Sequence, residues 1–238
     1  MKKLMFLIIS SVCLLSCNIM GDYVSGNGTI KDEKRDISTF HGVGTSGSID
    51  VEINSGDHYS VTVENDENLL QYVVTDLKDG VLNIHYKNGY NISNDHAKVI
   101  VTAPSLDKIS TSGSGDISAT GVIKNTNTIE FSLSGSGDVS ATVDAPAVHV
   151  SGSGSGTIKL SGKTKDFECK LSGSGDVDCG NLQSENATIS VAGSSDVHVF
   201  ASVHLKVNVA GSGDVYYQGN PSAPEIHIAG SGSVQAQK

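Results

Sequence analysis

Seven times between residue 113 and residue 238 the chain repeats a near-identical phrase, Gly-Ser-Gly-Asp-Val. The copies begin at Gly113, Gly135, Gly154, Gly173, Gly193, Gly211 and Gly230, at steps of 22, 19, 19, 20, 18 and 19 residues. A fixed period of this size marks one supersecondary unit stacked on copies of itself. Aligned on the first glycine, apolar residues recur four and two places before it and four and six places after it, with polar residues between them. Each unit therefore reads as strand, tight glycine corner, strand, with one face inward.

Two arrangements compete. Antiparallel hairpins would pair each strand with its sequence neighbour; a parallel solenoid would pair it with its equivalent one period later. The columns favour the all-β solenoid of two sheets, in coils of about 20 residues, because like residues then stack on like. Sizes also compensate across the presumed core: Phe131 faces Ala141, Val207 faces Tyr217 and Gly152 faces Ile158, as close packing demands. Both glycines of the corner are expected to supply φ > 0. The aspartates that follow (Asp116, Asp138, Asp176, Asp196 and Asp214) are expected to cap it with an Asx-type bond.

The N-terminus reads as a processing signal. Lys2 and Lys3 precede an apolar run from Leu4 to Leu15, too short for a comfortable membrane span. Leu14-Leu15-Ser16-Cys17 resembles the lipobox of bacterial lipoproteins, which implies cleavage before Cys17 and a lipid anchor on it. Without Lys2 and Lys3 the 16 basic residues fall to 14, against 26 acidic, for a net charge of −12. Such a balance argues against nucleic acid and anionic lipid as electrostatic partners. Aromatic residues are 5% and Trp is absent, so small stacked coils suit the chain better than one large core.

The expected organisation is a lipoprotein signal peptide at 1–16, a tether at 17–36 with its end docked, an N-terminal β region at 37–105 and the seven-repeat solenoid at 106–238. In the β region, Ser48–Ile53, Tyr59–Val63, Val81–Tyr86 and Lys98–Val101 alternate with period two. Glu67–Lys78 fits a short helix or an irregular strand.

The corner phrases resemble the head GIN domain family of auto-transporter adhesins, found in Bacteroidetes lipoproteins. The likeness extends to Glu67-Asn68-Leu69-Leu70, Asp79-Gly80-Val81-Leu82-Asn83-Ile84 and Lys98–Leu106, and covers about 37–238. It implies a right-handed parallel β-helix without catalytic residues, a role in adhesion and a trimeric homo-oligomer.

Other chemistry is weighed against blander readings. Stacked aspartates repel, and Ca²⁺ could neutralise them, but Thr157 and Ser233 interrupt the column, so a structural cap is preferred. Cys169 and Cys179 fall opposite each other; register permits a disulfide, and two small core thiols are the alternative. Gly162-Lys163-Thr164 has the wrong spacing for a phosphate loop. His149, His198 and His227 sit outward on separate coils without metal spacing, and Tyr216 points outward where it could stack on a sugar. No cofactor is expected. The leading expectation is a non-catalytic, lipid-anchored, outer-membrane or cell-surface adhesin for a glycan or protein ligand. The alternatives are a lyase-like β-helix enzyme and a ligand-free envelope spacer.

Overall fold

The computed structural model describes residues 21–237; the expected signal peptide and the lipidation site Cys17 lie outside the described residues. Nine strands occupy the first half: β1 Asp22–Ser25, β2 Ile30–Arg35, β3 Gly42–Gly47, β4 Asp50–Ser55, β5 Ser60–Asp66, β6 Val73–Lys78, β7 Val81–Tyr86, β8 Tyr90–Ser93 and β9 Lys98–Ala103. Eleven follow: β10 Lys108–Gly113, β11 Ile117–Lys124, β12 Thr128–Gly135, β13 Val139–Gly154, β14 Thr157–Gly173, β15 Asp176–Gly193, β16 Val197–Phe200, β17 His204–Gly211, β18 Val215–Gln218, β19 Glu225–Gly230 and β20 Val234–Ala236. Most of them stack in parallel coils that form a β-solenoid of about six turns.

Register follows the sequence columns. Ile109 pairs with Phe131, Phe131 with Val150, Val150 with Cys169, Cys169 with Ile189, Ile189 with Val207 and Val207 with Ile226. The corner glycines align in the same way from Gly113 to Gly230. The inward columns are buried through most of the stack, and they merge into one continuous core. Gly152 leaves room that Leu171 fills, since a Cβ there would lie 2.7 Å from Leu171 Cδ2. Away from the glycine corner the chain bends without leaving the ladder, so β13, β14 and β15 run 16, 17 and 18 residues.

The N-terminal region joins the same stack out of chain order. Coil β3–β4 lies between β7 and β9 on one side and β10 and β11 on the other, all parallel. The stretch Ser48–Ile53, expected as one strand, is broken. Gly47-Ser48-Ile49-Asp50-Val51 is an eighth corner, with Gly47 beneath Gly113 and Val51 beneath Ile117. Glu67–Lys78 resolves into a single 3₁₀ turn, Leu70–Tyr72, followed by β6.

The stack begins with antiparallel strands. β6 pairs with β7, β5 with β9, and β2 with β5. Part of the segment expected as a tether is thus docked, from β1, which pairs with β8, through β2.

Candidate functional site

The corners are built between coils rather than within them. The Gly113 carbonyl accepts the N–H groups of both Ser136 and Gly137 in the next coil, at 2.7 and 3.1 Å. The same double bond recurs from Ser155 and Gly156 to Gly135 and from Ser212 and Gly213 to Gly193. Only the first glycine of each phrase has φ in the left-handed region, +128° at Gly135 and +141° at Gly154. The expectation that both would is corrected. The second is required by proximity: a Cβ on Gly156 would lie 2.0 Å from the Gly137 carbonyl oxygen. Ser195, which stands at that second place and is buried, keeps an ordinary φ and reaches toward the Gly173 carbonyl at 3.4 Å.

The aspartate column also works from coil to coil. Asp50 Oδ1 accepts the Asp116 N–H at 2.9 Å, Asp116 that of Asp138 at 2.8 Å and Asp138 that of Thr157 at 2.7 Å. Thr157 passes nothing on, and the Asp176 N–H turns instead to the Gly156 carbonyl at 3.2 Å. The column resumes from Asp176 to Asp196, from Asp196 to Asp214 and from Asp214 to Ser233. Each carboxylate thus caps the amide of the coil above, not its own turn. Among the described residues no group of three or more His, Cys, Asp or Glu side chains converges in a way that could hold a metal ion.

Cys169 and Cys179 are buried free thiols; the disulfide that register allowed is not formed. Each replaces an aliphatic in its column, Cys169 between Val150 and Ile189 and Cys179 beside Val199. Burial pushes the Cys169 thiol up to about 12 and raises that of Cys179 well above its ordinary value. Both are therefore poor nucleophiles. Gly162-Lys163-Thr164 forms a bend inside β14, with Gly162 at φ +106° against the Val143 carbonyl. Tyr216 stacks on His198, ring centroids 4.9 Å apart and planes 18° apart.

One surface feature crosses most coils. A groove of about 1130 Å³ runs over β3, β10 and β12, the C-terminal parts of β13, β14 and β15, and then β17 and β19. At about 4.8 Å per strand it extends about 34 Å. Its floor comes from the two outward columns just before the corner. Ser110, Ser132, Ser151 and Ser190 belong to one, and Ser112, Ser134, Ser153 and Ser172 to the other. Toward β19 the second column changes to Ala192, Ala210 and Ala229. Among the described residues no carboxylate lines the groove; Lys170 and His227 are its ionisable groups. The Ser132 and Ser151 hydroxyls meet at 3.0 Å, a contact that runs along the stack.

Beside it lies a smaller hollow of about 230 Å³ lined by Glu130, His149, Glu168 and Lys170, among others. Lys170 bonds Glu168 at 2.6 Å, and with His149 it holds that carboxyl below the usual range. A general acid needs the opposite shift. The serine columns were visible in the sequence as polar alternates. That the surface they share is a groove free of acids, in an acidic chain, needed the folded structure.

The family model for the putative auto-transporter adhesin, head GIN domain, matches residues 39–221. Three solved structures share the fold over their full length. A putative adhesin from Bacteroides fragilis is 19% identical over 90% of this chain, with TM-score 0.84. A putative lipid binding protein from Parabacteroides distasonis is 26% identical over 91%, with TM-score 0.73. A putative adhesin from the same organism is 25% identical over 91%, with TM-score 0.70. No curated protein matches the chain.

Proposed function

From the premise that this chain belongs to the head GIN domain family of putative auto-transporter adhesins, we propose that it is a non-catalytic, lipid-anchored adhesin that holds an extended surface ligand in the serine-floored groove. The family supports a cell-surface location. Leu14-Leu15-Ser16-Cys17 supports anchoring through Cys17 on the outer membrane. The observation that carries the proposal is the groove itself. It presents two columns of hydroxyls at strand spacing with no carboxylate on its floor, in a chain of net charge −10. A polyhydroxylated polymer fits that chemistry: neutral donors and acceptors repeat along it, and no fixed anion repels an acidic sugar.

A glycan array with the chain from residue 18 onward tests this. Specific retention without release of product is expected. Ser151→Trp, which fills the groove floor while leaving the inward columns intact, should abolish it. Product formation would favour the enzyme alternative, and silence the spacer. A second reading has its own support. The alanine end of the groove (Ala192, Ala210, Ala229) and the relative described as lipid binding favour an acyl chain. Binding of a fluorescent fatty acid blocked by Ala210→Trp, with no glycan retained, would select it.

A further inference from the structure

Taking the groove as the site of an extended glycan, as proposed above, we infer that the glycan ends in a hollow beside β3 and β7, where an acidic sugar unit stacks on Tyr90 and pairs with Lys87. The hollow holds about 340 Å³ and is lined by Ser46, His85, Lys87, Asn88, Tyr90 and Asn91, among others. It adjoins the groove directly. Thr45 lines the groove and Ser46 the hollow, and Ser46 pairs with Ser112 on the groove floor. On the other side of β3, Ile84 pairs with Thr45, which brings His85 level with Ser46. A polymer lying along the serine column therefore runs into the hollow.

Two features set the hollow apart from the groove. The first is an aromatic ring. Tyr90 is 37% exposed and leans on Tyr72, ring centroids 4.6 Å apart and planes 57° apart. A partly open ring braced by another ring is a platform for the apolar face of a sugar. The second is charge. Lys170, the lysine of the groove, is engaged by Glu168. Among the described residues Lys87 pairs with no carboxylate. Its Nζ lies 5.9 Å over the Tyr72 ring, which holds the ammonium beside the platform. No carboxylate among the described residues lines the hollow. In a chain of net charge −10, an unpaired cation in an acid-free hollow selects an anion. The turn that carries it is fixed in advance. The Lys87 N–H donates to the Tyr72 carbonyl at 2.8 Å, the Asp22 N–H to the Gly89 carbonyl at 2.9 Å and Asn91 Nδ2 to the Gly21 carbonyl at 3.1 Å. Little ordering is left for the ligand to bring about.

Short probes test the hollow apart from the groove. In ligand-observed NMR titrations of the chain from residue 18 onward, sialyllactose or sulfated lactose should bind about tenfold or more tighter than lactose. Which of the two wins tells a carboxylate from a sulfate. Lys87→Gln should remove that preference and Lys87→Arg should keep it. Tyr90→Ala should weaken acidic and neutral probes alike, and Tyr90→Phe should not. Added salt should weaken only the acidic probes. Ser151→Trp, in the groove, should leave the short probes bound while long glycans are lost. The inference is overturned if neither acidic probe outbinds lactose, or if Lys87→Gln and Tyr90→Ala bind as the parent does. Long glycans retained equally by the parent and both hollow variants would sink the hollow and spare the groove. Short probes bound in the hollow, with long glycans indifferent to Ser151→Trp, would sink the groove reading instead.

Discussion

The repeat coils from β10 onward and the coils built from β2 to β9 solve one packing problem by different means. In the repeats, order comes from backbone spacing. The first glycine of each corner stacks on its equivalent in the next coil, and the aspartates bond from coil to coil except where Thr157 interrupts the column. In the N-terminal coils, order comes from individual polar contacts. Asp66 is fully buried, accepting from the Gly28 N–H and from His96 Nδ1 at 2.9 Å. Buried Asn65 accepts the N–H groups of Asp66 and His96 and donates to the Tyr86 hydroxyl at 3.4 Å. That hydroxyl in turn donates to Asp95. The difference teaches where each part is fragile: the repeats to an added atom at the first glycine of a corner, the cap to loss of a specific partner.

The sharpest test sets two glycines against each other. Gly154 has φ +141°, and a Cβ there would lie 2.1 Å from the Gly135 carbonyl oxygen, whereas Gly28 has φ +77° with nothing within 4 Å. Gly154→Ala should destabilise by about 3 kcal/mol or more, combining backbone strain with a clash against rigid backbone. Gly28→Ala should cost only about 1 kcal/mol, from φ alone. Urea unfolding of both variants checks the gap, and equal losses would break the comparison.

Acid probes the cap next. The hydrogen bond from His96, with that from the Gly28 amide, holds the Asp66 carboxyl below its ordinary value of 3.8. A depressed folded-state value gives stability that is present above the ordinary carboxylate range and lost as pH falls through the folded value. Stability of the parent chain should therefore drop below about pH 4. In Asp66→Asn that part of the acid limb should flatten, as read by denaturant midpoints across pH. Asp138→Ala sits in the repeats and should have the smallest effect, about 1 kcal/mol, because it removes a single bond to the Thr157 amide. A larger loss there than at Gly154 would reverse the ranking.

Much of this was legible before folding. A parallel solenoid stacks equivalent residues, so period and column could be read directly from the spacing of the seven phrases. The eighth, Gly47-Ser48-Ile49-Asp50-Val51, was hidden because Ile49 replaces the second glycine and because its partner Asp116 lies 66 residues away. Its signal was the surviving Gly-Ser and Asp-Val. The aspartates were recognisable as caps, but not as caps on a neighbouring coil. The groove could not be read at all, since polar alternation marks an outward face and says nothing of that face's shape.

By itself the sequence determined the coil: its length, its inward columns and its glycine corner, because these are local and repeat. Tertiary structure alone decided the order of stacking, the reason for each second glycine and the shape of the serine-lined face. Those depend on which backbone lies 4.8 Å away, about one strand spacing, and neighbours in space are not written as neighbours in the chain.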